Sequence, residues 1–278
     1  LFFAALNVIG VGLLLLIAHR YIGLTAALAA GLAYAVNPWA VLYSRKIWAQ
    51  DFHTPFVLLA VLLGLYGFVE GKRWGQILCL PVLIFALQIH FAAWVLLPLF
   101  LILVWLGRRH ISLPALLVSL VLAALALVPF ALGLAQTLRA DPNRITNAVS
   151  RSTAPLTITP DALLTTFRFI TGLGLETVVA PEEPGDLLAA NPPEVMSHLL
   201  VGVLALVGLI ALLAVPTYHR FAPLLLAWVG VPLIVFSLSW TPVYPHYLIA
   251  SLPALCLLAG IGLAALANVT PGEAQPTI

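Results

Sequence analysis

Apolar residues run along this chain in long stretches, with polar residues gathered in the short breaks between them. Nine stretches stand out, at about 1–18, 21–36, 55–70, 76–88, 91–107, 112–133, 195–215, 221–239 and 247–268. A helix needs about 20 apolar residues to cross a bilayer, with a lower bound near 17. The pattern therefore predicts an all-α, polytopic transmembrane bundle of about nine membrane segments. The stretches 76–88 and 91–107 nearly touch, and Gln88-Ile89-His90 separates them. Read as one helix, about 31 residues would rise about 46 Å through a hydrocarbon core of about 30 Å. Two short segments with a tight break between them is the preferred reading. Pro81 and Pro98 inside them predict kinks.

Composition agrees. The chain is 63% hydrophobic and 8% charged, with a mean hydropathy of +1.11. A soluble domain averages about 25% charged residues. The net charge of +2 and the lack of a basic run exclude nucleic acid as a partner. Cys79 and Cys256 lie inside apolar stretches and read as small buried hydrophobes. The chain opens at Leu1 within an apolar run, without Met or a basic flank, and is expected to be a fragment that lacks upstream sequence.

Loops alternate sides. His19-Arg20, Lys72-Arg73, Arg108-Arg109-His110 and Tyr218-His219-Arg220 fall on one side, in short basic loops. By the excess of Lys and Arg in cytoplasmic loops, this side is expected to be cytoplasmic. The other side receives 37–54, the break at His90, the long loop 134–194 and Trp240–His246. The expected organisation is 1–133 as transmembrane helices with a charged outer loop at 37–54, 134–194 as an extracytoplasmic loop, and 195–278 as C-terminal helices with a short tail. Within the long loop, Thr159-Pro160-Asp161 has the composition of a helix start, with Thr159 as cap. Leu163, Leu164, Phe167 and Ile170 share a face of that helix, which lies either on the membrane or on the protein's own core. Pro181–Pro193, rich in Pro and acids, is expected to be an exposed loop.

Candidate chemistry collects on the outer side. Tyr43–Pro55, YSRKIWAQDFHTP, holds Arg45, Lys46, Asp51 and His53. Arg45 and Lys46 stand there against the positive-inside bias. An anion site explains them: a guanidinium fork suits phosphate oxygens, and an ammonium adds a point charge. An ion pair with Asp51, plus snorkelling to headgroups, is the plainer alternative. If 44–52 were helical, Arg45 and Asp51 would lie close enough to line one cavity. His90, and His246 between Tyr244 and Tyr247, belong to the same side. The segment interiors hold little beyond Asn7 and Gln88, with Glu70 at an end, so an ion-coupled transporter fits poorly.

The order NPWAVLYSRKIWAQDFHTPF, QIHFAAWVLLPL, a long outer loop, then PVYPHYLIASLPALCLLAGIGLA resembles the GT-C superfamily of membrane glycosyltransferases. The likeness is to its family 39-like members, kin of protein O-mannosyltransferases and lipid A aminoarabinose transferases. The stretch from Ser44-Arg45 to Gln50-Asp51 is similar to the family's Arg-to-Asp segment. His246-Tyr247-Leu248 is similar to its Arg-Tyr-Leu entry to a late helix, with His in place of Arg. The resemblance implies transfer of a sugar from a polyprenyl-phosphate carrier to an acceptor hydroxyl on the extracytoplasmic face of the cell membrane. The acceptor is a protein, a lipid or a glycan. The family's main catalytic acid lies in a first outer loop that this chain lacks, so the fragment alone is expected to be inactive. Arg45 and Lys46, with His53, His90, His246 and Tyr247, are the candidate binders of the lipid phosphate, and Asp51 is a supporting acid. No cofactor is certain. A divalent metal on His53 or His90 is left unassigned, because no metal-spaced cluster exists. A non-catalytic lipid-phosphate-binding or lipid-moving protein stays open, as does a polymerase or ligase of lipid-linked glycans.

Overall fold

The computed structural model describes residues 1–49, 52–144, 157–175, 192–238 and 243–269. Among the described residues there are eleven α-helices and no strand. In chain order they are α1 Phe2–Tyr21, α2 Leu24–Val36, α3 Pro38–Arg45, α4 His53–Gly64, α5 Arg73–Ile89, α6 Pro98–Leu106, α7 Leu113–Ala140, α8 Asp161–Thr171, α9 Pro192–Ala214, α10 Ala222–Ser237 and α11 Leu252–Val269.

Every expected apolar segment is helical, but fewer than nine are long enough to cross on their own. Among the described residues five helices qualify by length and apolarity, and the bent pair α2–α3, turned by 54°, makes a sixth if it crosses as one span. The helical stretches His53–Val69, Arg73–Ile89 and Phe91–Leu106 are shorter. The chain is thus a multi-pass membrane protein. Its outward faces confirm the solvent it needs: α7 buries only the small stripe Ala115, Ser119 and Ala123 and exposes Leu117, Leu120, Val121 and Leu125. In water such a surface would aggregate, whereas lipid tails cover it without penalty.

The break at His90 is as tight as its sequence predicts. His90 is extended, at φ −145° and ψ 128°, and a 3-10 turn at Phe91–Leu96 follows. Pro98 does not kink a helix; it starts α6, where its missing N–H costs nothing. Pro81 does sit inside α5.

α11 is the central helix, packed between α9 and α2. Close approach needs glycine here. A methyl group on Gly208 of α9 would run into the carbonyl of Leu258, and one on Gly262 of α11 into the carbonyl of Leu204. The two backbones thus touch without side chains between them, the usual device of helix pairs in lipid. On α2, Gly31 makes room for a side chain instead, seating Leu15 of α1. Gly23 makes the turn before α2 with φ 139°.

The basic breaks meet at one end of the bundle. Glu70 accepts from Arg20 through both oxygens, at 2.6 and 2.9 Å, and from the Tyr21 hydroxyl at 2.6 Å. The Arg20 guanidinium beside Glu70 holds its carboxyl below the ordinary range. Gln76, fully buried, donates to the carbonyls of Gly67 and His110 and accepts from the Ser112 N–H. Buried amides are affordable only with such full pairing.

Candidate functional site

At the opposite end, α3 occupies part of what the sequence reading left as a loop. Asn37 caps it: its Oδ1 accepts from the N–H groups of Trp39, at 3.0 Å, and Ala40, at 3.2 Å. Pro38 takes the first helical position. Asn followed by Pro is a helix-start signature, and it was the available signal for this element. The Asn37 Nδ2 donates to the carbonyl of Phe169 at 2.7 Å, and Trp39 Nε1 donates to that of Arg168 at 3.0 Å. The Phe169 ring lies 5.0 Å from Trp39 and 6.5 Å from Tyr43. The last turn of α8 is thereby fastened to α3.

α3 ends at Arg45, and Lys46 is extended, with ψ 157°. The chain therefore does not run as one helix through 44–52, because α4 starts only at His53. The two neighbouring cations part at that point. Arg45 is the last residue of α3 and is exposed. The Lys46 ammonium sits 4.8 Å from the Trp48 ring centroid and 5.7 Å from that of Tyr43. Such cation–π contacts hold an ammonium in place without neutralising it. Asp51 lies outside the described residues, so neither its supporting role nor an ion pair with Arg45 or Lys46 is described.

Three separate elements bring imidazoles and phenols together near Lys46. His53 opens α4 and is 1% exposed. Its ring lies 6.2 Å from His90. His90 meets His246 edge to face at 5.1 Å and Tyr247 at 5.9 Å. His246 and Tyr247 come from the 3-10 turn Pro245–Tyr247 before α11 and touch at 4.8 Å. Tyr244 stacks on His246 at 5.6 Å, with 16° between the planes. The extended backbone at His90 is what turns its ring from α5 towards this group.

The electrostatics follow from that packing. Burial first, then repulsion from His90 and from Lys46, pushes His246 down to about 4. Burial holds His90 below its ordinary value. Burial, then the Tyr244 phenol, pushes Tyr247 up. At neutral pH His90 and His246 are therefore uncharged imidazoles and Tyr247 an uncharged phenol, with the Lys46 ammonium near His246. The centre offers N–H and O–H donors towards an anion, together with basic nitrogens able to take a proton. Among the described residues, buried polar atoms without a partner include Nδ1 of His90 and, next to His53, Oγ1 of Thr54, a residue 2% exposed. Thr54 carried no signal in the sequence, since a Thr at a helix start is commonplace. Among the described residues no group of three His, Cys, Asp or Glu is placed to hold a metal ion.

Of the predicted site residues, the structure unites His53, His90, His246 and Tyr247, with Lys46 within electrostatic reach of His246. Comparison with family models, curated proteins and solved structures returns no match.

Proposed function

We propose that this end of the bundle binds the phosphate of a lipid carrier, and that the protein is an integral-membrane glycosyltransferase using a polyprenyl-phosphate sugar. The observation that carries the reading is the convergence of Lys46, His53, His90, His246 and Tyr247 at the end of the bundle away from the basic breaks. Placed beside membrane-spanning helices, such a centre suits a ligand with a charged head and a hydrocarbon tail. In sugar transfer from a phosphodiester, negative charge grows on the departing phosphate. Donors and a cation fixed beforehand stabilise that charge without reorganising. The resemblance of the 37–56 and 242–264 stretches to GT-C enzymes supplies the sugar and the polyprenyl group. In this reading the end that bears the histidines faces outward, opposite the Lys- and Arg-rich breaks. Asp51 and Arg45 serve an acceptor hydroxyl or the donor phosphate.

A second reading, a lipid-phosphate binder without transfer, is favoured by the kind of groups described: they are donors and cations suited to holding an anion. Two measurements separate the readings. The chain in nanodiscs should bind farnesyl phosphate and not farnesol, and K46A or H246A should weaken binding at least tenfold. Equal affinity for the two lipids would remove both readings. In membranes from cells expressing the protein, R45A and D51A should abolish transfer from a polyprenyl-phosphate sugar while insertion stays intact. Unchanged turnover in both variants would refute their assignment. Binding without any transfer selects the second reading.

A further inference from the structure

The short helix α8 has three distinct sides. At about 100° per residue, Ala162, Thr165 and Phe169 fall in one sector, and all three are buried against the protein. Leu163, Leu164 and Phe167 fall on the opposite side, exposed by 57%, 49% and 47%. Asp161 and Arg168 lie along one edge between the two. A helix resting on its own core alone needs one apolar side, so the second has to be covered by something else.

The neighbourhood says what covers it. The Thr159 N–H donates to the carbonyl of Ser237, the last residue of α10, so the approach to α8 is tied to the end of a membrane helix. Beside that bond, Ile158 is 82% exposed, and Ile234, Val235 and Leu238 of the α10 end also face outward. The apolar side of α8 thus continues a surface that lipid already covers. The Arg168 side chain folds over Gly174, at the charged edge.

We propose that α8 seats its Leu163–Leu164–Phe167 side in the bilayer, at the boundary between headgroups and acyl chains, with Asp161 and Arg168 turned to water. An interfacial helix of this kind is held by buried apolar area on one side and a solvated polar edge on the other. It also steadies the protein. The bonds from Asn37 and Trp39 to the last turn of α8 reach α3, so the lipid contact braces the helix that ends at Arg45. This inference is independent of the phosphate reading.

The test attaches a polarity-sensitive fluorophore to single cysteines in the full chain, reconstituted in phosphatidylcholine nanodiscs. Cys79 and Cys256 are 0% exposed and should stay unlabelled. L164C and F167C should each show blue-shifted emission, and shallow spin-labelled lipid should quench them several-fold more than iodide does. R168C should show the reverse. Because L164C and F167C report separately, a folding defect in one leaves the other decisive. Iodide quenching at 164 and 167 as strong as at 168 would place the face in water and overturn the proposal. Shielding from both quenchers, with disulfide-linked dimers on oxidation, would make a second copy the occupant and overturn it equally.

Discussion

His90 and His246 meet edge to face, 5.1 Å between ring centroids, although one breaks a helix pair and the other precedes the last helix. Each ring shelters the other from water. Charging either one places a cation against its neighbour and near Lys46.

That contact makes the native state sensitive to acid. His246 drops from an ordinary 6.5 to about 4 on folding. Between those values the unfolded chain binds a proton that the folded chain refuses, so stability is complete above about 6.5 and is lost as pH falls towards 4. The unfolding midpoint in detergent should fall between pH 7 and 4.5, and should fall less in H246Q. Glu70, whose carboxyl is lowered, loses its contribution only below its ordinary 4.5, outside that window. A midpoint flat from pH 7 to 4.5 would contradict the contact.

At the other end, Glu70→Ala removes the acceptor of the Tyr21 hydroxyl, in a residue only 7% exposed. Leaving such a group unpaired costs about 1–3 kcal/mol. Arg20→Ala, with Arg20 half-exposed, should cost much less. Thermal unfolding of the two variants should separate them, with Tyr21→Phe partly rescuing Glu70→Ala.

Asn37 serves two partners, and two substitutions divide its roles. Asn37→Asp keeps the oxygen that caps α3 but removes the donor to Phe169. Asn37→Ala loses both, with about 1 kcal/mol assigned to the cap alone. Hydrogen exchange should show α8 loosened in both variants and the first turn of α3 loosened only in Asn37→Ala.

Gly208→Ala should destabilise the α9–α11 pair, because the added methyl meets the Leu258 carbonyl, which belongs to a rigid backbone. Overpacking of this kind costs about 1–3 kcal/mol. Gly12→Ala, with open space around it, should leave the unfolding midpoint unchanged.

Helix placement was legible because each stretch of apolar residues is long and its breaks are polar. The break at His90 followed from segment length, since one uninterrupted helix would overshoot the bilayer; the 3-10 turn Phe91–Leu96, inside the expected second segment, did not. α3 was missed because Arg45, Lys46 and Asp51 drew attention to charge, while the structural information lay in Asn37-Pro38. The cap at Thr159 was misassigned. Its hydroxyl has no partner, and the residue acts instead through its backbone N–H on Ser237. The gathering of His53, His90 and His246 was legible only as three breaks on one side. The edge-to-face contact depends on packing between helices remote in sequence, which no local pattern encodes. Arg45 and Lys46 looked equivalent in the sequence because both are cationic, and the end of α3 between them gives them different surroundings.

α7 is the longest of the described helices. Phe130 is level with Trp94, just past the His90 break, at 6.3 Å between rings. The helix continues to Ala140, about 15 Å further along its axis, past Gln136 and Arg139. At 28 residues α7 is about 42 Å long, more than a hydrocarbon core of about 30 Å, so lipid tails cannot cover its whole length and its last turns, with Gln136 and Arg139, overhang them.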